Sequence, residues 1–246
     1  MGDLVLILLV TSGTFFIKAI TGFGGPLLAI PLLAPVIGVE HAVVGLSLAN
    51  LSSNILLLIE NRSGARAMRP FLVRVLGAGA IAVVAGTLVL VNVDDRILLA
   101  VLAASVFAYV ALALANPNLR LGNAAGLRAA VPIGIVGGFV HGATGNSAAV
   151  FGTFFHSLAL PREDFVAAVT TVFLVLSTLQ VGTLASLGSF TTGRLAQAAA
   201  AVVPVLIVTP LGTRVAARLD AKTFGRIVLA MLTVAGIRLV FGVFGI

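Results

Sequence analysis

The sequence predicts an all-α, polytopic membrane protein built as two inverted repeats, each with one broken helical hairpin and three transmembrane helices. Three observations carry that prediction: a composition too apolar for a water-soluble core, two long apolar segments interrupted by glycine clusters, and basic residues that sort to one side only if those segments are hairpins.

Of 246 residues, 60% are apolar and 9% are charged, against about 25% charged in soluble domains. No globular core hides this much apolar surface, so part of the solvent is lipid. The 27 glycines and 9 prolines lie mostly inside apolar runs. Membrane helices tolerate that mixture, because close helix contact and broken helices are both useful there. The chain has no cysteine, which excludes disulfides, thiolate catalysis and iron–sulfur ligation. The net charge of +7 does not point to nucleic acid: the basic residues fall in short loops between apolar segments, where the positive-inside bias puts them. A removable signal peptide is not expected, since Met1 to Asp3 lacks a basic residue and no small-residue cleavage site precedes a polar domain.

The elements follow in chain order. Residues 4–37 are too long for one crossing, which takes about 20 residues, and they break at Gly22-Phe23-Gly24-Gly25-Pro26. Clustered glycine and proline disfavour a continuous helix, so this segment reads as helix–break–helix. Residues 41–59, 71–91 and 97–115 each fit one crossing. The turn-rich stretch from Asn116-Pro117-Asn118 to Arg128 is the hinge between a first repeat, residues 1–118, and a second, residues 119–246. Residues 129–160 break at Gly142-Ala143-Thr144-Gly145-Asn146-Ser147, and 164–188, 196–213 and 226–245 are again crossings. Short matches run in the same order through both halves: Glu40 to Ser47 parallels Glu163 to Thr170, Gly86-Thr87 parallels Gly212-Thr213, and Arg96 to Leu102 parallels Arg226 to Leu232.

Charge chooses the topology. If each broken segment crosses once, seven basic residues (Arg62, Arg66, Arg69, Arg74, Arg120, Arg128, Arg194) face six (Arg96, Arg162, Arg214, Arg218, Lys222, Arg226). If each is a hairpin that enters and leaves on one side, eleven face two, Arg96 and Arg194. The second count obeys the positive-inside rule and leaves the halves inverted, with both breaks near the membrane midplane and both termini outside.

Inverted repeats with broken helices are a recurrent plan of secondary transporters, whose sites lie where the helices unwind. The two breaks are therefore the expected site. Gly24, Gly25 and Gly145 let backbone approach a ligand. The half-helices that begin near Pro26 and Ser147 offer N–H groups and a positive dipole end, which suit an oxyanion. Lys18, one turn before the first break, supplies positive potential, since an intramembrane lysine faces protein or water; a snorkelling or paired lysine is the plainer alternative. Arg238, inside the last helix, is a second basic candidate. Asn50 and Asn54 share a helix face with Ser47 and can donate to oxyanion oxygens, as can Thr170, Thr171, Ser177, Thr178 and Gln180 in the second half; otherwise such residues glue helices together. His141, Thr144, Asn146 and Ser147 occupy the second break, and His141 titrates near enough to neutrality to gate protons, unless it is a hydrogen-bonded structural residue. His41 and His156 read as structural. No histidines show ligand spacing with a carboxylate, so neither a metal nor another cofactor is expected. Asp94-Asp95 and Glu163-Asp164 read as helix caps.

The run Thr21-Gly-Phe-Gly-Gly-Pro-Leu-Leu-Ala-Ile-Pro31, followed by Glu40-His-Ala-Val-Val-Gly-Leu-Ser47, resembles the TauE/SafE family of sulfite exporters. The resemblance covers nearly the whole chain, because the repeat organisation is shared. The second break departs from the family's plain glycine run by carrying His141, Thr144, Asn146 and Ser147. The resemblance implies export or uptake of sulfite, sulfonates, thiosulfate or related small anions, in a multi-pass protein of the bacterial inner membrane. The expected partners are a small anion and the bilayer, with a homodimer left open and nucleic acid excluded. An enzyme is not expected, since no nucleophile–base pair or metal cluster is visible. An anion channel, or a carrier of another carboxylate or oxyanion, is the alternative.

Overall fold

Both interrupted segments fold as helix, break, helix. The computed structural model describes residues 2–22, 24–60, 68–115 and 120–216, and its regular structure is entirely α-helical. The first half holds α1 (Gly2–Thr21), α2 (Gly25–Ile37), α3 (Val39–Glu60), α4 (Arg69–Asn92) and α5 (Asp95–Ala115). The second holds α6 (Asn123–Thr144), α7 (Ala148–Ser157), α8 (Arg162–Ser186), α9 (Thr192–Ala200) and α10 (Val202–Ala216). Of the hinge expected at 116–128, residues 116–119 lie outside the described residues and residues from Asn123 on already belong to α6; the crossing at 226–245 with Arg238 and the match of Arg226 to Leu232 also lie outside the described residues.

The breaks sit where glycine permits a conformation that side chains resist. Gly22 and Gly24 have φ of 81° and 122°, and Gly145 closes α6 at φ 66°, in the left-handed region. Six runs are long and apolar enough to cross a membrane: α1, α3, α4, α6, α8 and the α9–α10 stretch Thr192–Val215. The 21 residues of α5 match the length expected for its segment. Residues 196–213, expected as one crossing, fall within the single apolar run Thr192–Val215, which is interrupted by one turn residue at Ala201. Pro204 explains it, because proline has no N–H to offer the Ala200 carbonyl. The outward faces are apolar, with Leu9 68% and Ile81 78% exposed, as lipid-facing residues should be.

Contacts between distant loops pair the segment ends. The Leu121 N–H donates to the Ser157 carbonyl at 2.8 Å, so α7 ends beside the start of α6. Arg194 pairs with Glu40 at 2.9 Å, and the Thr213 hydroxyl donates to Glu60 Oε1 at 3.5 Å. Single crossings of the broken segments would put the members of each pair on opposite faces. Hairpins put them on the same face, as the charge count requires.

Glycines hold the bundle together. α6 lies along α4 backbone to backbone: a Cβ at Gly138 would be 2.5 Å from the Gly79 carbonyl oxygen, and one at Gly142 would be 2.6 Å from the Thr87 nitrogen. Gly79 faces Gly134, and Gly86 faces Phe139 and Ala143, so the two helices run parallel. Likewise α1 packs on α10, where a Cβ at Gly212 would be 2.8 Å from the Phe16 carbonyl oxygen. Each half's first helix is thus seated on a late helix of the other half.

The cap assignments need correction. Asp94 does cap α5, accepting from the Arg96 N–H at 2.8 Å, but Asp95 accepts from the Val39 N–H at 3.1 Å and so ties down the start of α3. Glu163 and Asp164 cap nothing. Pro161 is the N-cap of α8, and the two acids stand in its first turn, where they favour the helix dipole.

Candidate functional site

Lys18 is fully buried, in the last turn of α1 before the first break. Its Nζ donates to Asn50 Oδ1 and Asn54 Oδ1, both at 2.6 Å, and lies 5.3 Å from the centre of the Phe15 ring. The lysine therefore does not snorkel. Asn50 and Asn54 point at it together because four residues return a helix to the same face. Gly25 lets its stem pass, since a Cβ there would be 3.0 Å from Lys18 Cδ. Among the described residues no carboxylate pairs with it. An ammonium in this place, held only by amide oxygens, would be costly unless an opposite charge arrived from outside.

The second break builds the same arrangement with other side chains. His141 stands in the last turn of α6, 1% exposed, with Nδ1 2.9 Å from Ser147 Oγ and Nε2 3.1 Å from Ser177 Oγ. Its ring stacks on Phe173 at 6.0 Å. The two clusters meet, because Asn50 Nδ2 donates to Ser177 Oγ at 2.9 Å. One buried polar chain thus runs from Lys18 through Asn50 and Ser177 to His141 and Ser147. Gln180 Nε2 donates to the His141 and Gly142 carbonyls at 2.9 and 3.0 Å; the Gly142 carbonyl lies in the last turn, where the helix supplies no donor, while that of His141 also accepts from the Gly145 N–H at 2.7 Å.

Two adjoining clefts, each little more than water-sized, lie against this chain. Both are lined by Pro26, Asn50 and Gly145. Gly24, Asn146, Ser147 and His141 line one, and Ser47, Ser177 and Gln180 the other. Both breaks thus contribute to one place. The polar residues that converge are Lys18, one turn before the first break, and His141 and Ser147, on either side of Gly145 in the second, with Asn50 and Ser177 between them. The glycines themselves lie further along: Gly145 is against Val43 and Gly22 against Val166, about 10 and 16 Å along α3 and α8 from the Asn50–Ser177 contact at 1.5 Å per residue.

The remaining candidates have other roles here. Thr144 Oγ1 donates to the Val140 carbonyl at 2.7 Å and accepts from the Asn146 N–H at 3.3 Å, while Asn146 Oδ1 accepts from the Ala148 N–H at 3.1 Å. These two residues shape the turn into α7. Asn54 stands behind Asn50 and holds Lys18 without lining the clefts. Thr170 is buried with no partner for its hydroxyl among the described residues, and it does not reach the clefts. Thr171 returns its hydroxyl to the Ala167 carbonyl, as helix-bound threonines do. His41 Nε2 meets Gln197 Oε1 at 2.6 Å, and His156 is exposed.

Ser177 and Gln180, on the helix that also carries Thr170 and Thr171, are the members of that polar set that reach the clefts, and the sequence holds a further signal for Ser177. A constant 123 residues separates Lys18 from His141, Thr21 from Thr144, Gly22 from Gly145, Glu40 from Glu163 and Asn54 from Ser177. The Lys18–Asn54 bond and the His141–Ser177 bond are one contact made twice.

An all-helical bundle with lipid-facing apolar surfaces, two broken hairpins and a buried cationic, donor-rich cluster defines a polytopic membrane transporter of anions. The chain belongs to the sulfite exporter TauE/SafE family, whose model matches residues 6–239. It is accordingly a multi-pass cell-membrane protein of a transporter family. No curated protein and no solved structure matches the chain.

Proposed function

We propose that the protein carries a small sulfur oxyanion or organosulfonate across the membrane by alternating access, between two halves, residues 1–118 and 119–246, inverted relative to one another. The observation that carries this reading is Lys18: a buried cation with no carboxylate partner among the described residues, bonded to Asn50, which lines both clefts. Around it stand Ser147, Ser177 and the Asn50 amide, several neutral donors suited to an anion with three oxygens. The inversion is supported by the end-to-end pairing of Glu40 with Arg194 and of Leu121 with Ser157. Every member of the polar chain is buried, so an anion reaches Lys18 only when the helices part.

Thermal shift of the purified protein against sulfite, thiosulfate, sulfate, taurine, methanesulfonate and acetate tests the substrate class, because a ligand that binds only the folded state raises its stability. Stabilisation by the sulfur anions above acetate is expected; equal or absent shifts for all would sink the reading. Counterflow of the best anion in proteoliposomes then separates a carrier, which shows it, from a channel, which does not.

A further inference from the structure

His141 is held at both ring nitrogens by serines that face the clefts. A neutral imidazole has one donor nitrogen and one acceptor, so one of Ser147 and Ser177 must commit its O–H to the ring. An imidazolium donates from both nitrogens. Both serine oxygens then accept, and both hydroxyl protons are free to turn toward an anion. Adding one proton to the ring thereby adds one donor and one positive charge to the site. We propose that His141, held between Ser147 and Ser177, is the proton-carrying member of the anion site, and that the anion and one proton bind and are released together. The inference rests on the anion-site reading above and specifies its coupling.

The surroundings favour the joint event. The Lys18 ammonium faces the same network through Asn50, so an imidazolium formed without an anion would place two cations in one buried cluster, and the anion offsets them. The proton comes from water on the side to which the site is open, and it returns to water on the side where the anion leaves. The other charged or titratable groups on elements packed near α6 stand toward helix ends: Arg69 and Arg74 on α4, Asp94, Asp95 and Arg96 on α5, His156 on α7, Arg162, Glu163 and Asp164 on α8, and Glu40, His41 and Glu60 on α3. Arg74 donates to the Leu127 carbonyl and Glu40 pairs with Arg194, each away from the cluster.

Methanesulfonate is the probe, because a sulfonate stays ionised and contributes no titration of its own. Calorimetry on the full chain in detergent, from about pH 6 to 9, measures its Kd in buffers of differing ionisation enthalpy. With one proton taken up per anion, Kd rises about tenfold per pH unit above the histidine's titration, and the heat changes with the buffer as one proton requires. His141→Gln is expected to flatten both, while His156→Gln keeps the wild-type slope. If His141→Gln does not fold, the wild-type slope and buffer dependence still decide. Binding without proton uptake overturns the inference and leaves the anion site standing. A slope that survives in His141→Gln moves the proton elsewhere and also overturns it. Failure of both methanesulfonate and sulfite to bind removes the anion reading, and the proton site with it.

Discussion

Replacing Lys18 by methionine removes the charge from the centre of the site and keeps most of the stem that packs against Phe15 and Gly25. Its effect on stability is a balance. Two acceptors, Asn50 Oδ1 and Asn54 Oδ1, lose their donor, and each buried orphan costs about 1–3 kcal/mol. Against that, an ammonium with no counter-ion no longer has to be buried, a relief of several kcal/mol. The fold should survive. Anion affinity should not. Asn50 bridges the gap, with Nζ 2.6 Å from its Oδ1 and its Nδ2 donating across 2.9 Å. An anion accepting from that Nδ2 sits about 6 Å from the ammonium, where an effective dielectric constant of about 20 makes the attraction about 3 kcal/mol, or about 100-fold in Kd. Calorimetric titration with the best sulfur anion, on protein matched to wild type by gel filtration and melting temperature, measures the loss. A folded Lys18→Met variant whose Kd moves less than about threefold would refute the electrostatic reasoning, since that is under 1 kcal/mol.

Asn50→Asp gives Lys18 the carboxylate it lacks at nearly unchanged shape; the melting temperature should hold or rise while anion binding disappears, and retained affinity would remove Asn50 and Lys18 from the site together. Gly142→Ala sets a methyl against the α4 backbone, and overpacking of that kind costs about 1–3 kcal/mol or more; a reduced melting temperature is expected, in contrast to Gly193→Ala, where the space is open. For topology, the cysteine-free chain allows single labels: Gly193→Cys should react with an impermeant reagent added outside intact cells and Asn123→Cys should not, and equal reactivity of the two would contradict inversion.

Much of the architecture was legible in the chain. Apolar length marked α3, α4, α5 and α8 to within a few residues, because a helix in lipid must satisfy its own backbone and span a fixed thickness. The breaks at Gly22 to Pro26 and at Gly142 to Ser147 were legible too, because glycine and proline act on their own stretch of backbone whatever surrounds it. The loop arginines point to hairpins, and the pairing of Glu40 with Arg194 is compatible with them. The turn at Ala201 needed the structure, although Pro204 announces its cause.

The candidate site was half legible. Lys18, Asn50, His141 and Ser147 stand out as polar residues in apolar helices, where each one demands a reason. Residue type could not say which of them touch. Ser177 looks like any membrane serine until Asn50 and His141 converge on its oxygen, and Thr171 resembles a ligand residue until its hydroxyl turns back to Ala167. The sequence by itself determined the helices, their breaks and the supply of buried polar groups, since these follow from local backbone chemistry and the preference of each side chain for lipid or water. Only the tertiary structure decided that Lys18 has two amides and no carboxylate for company, and that one hydrogen-bonded chain joins the two halves. Those facts depend on the packing of whole helices, which brings Asn50 against Ser177, 127 positions away, at distances where fractions of an ångström separate a bond from a gap.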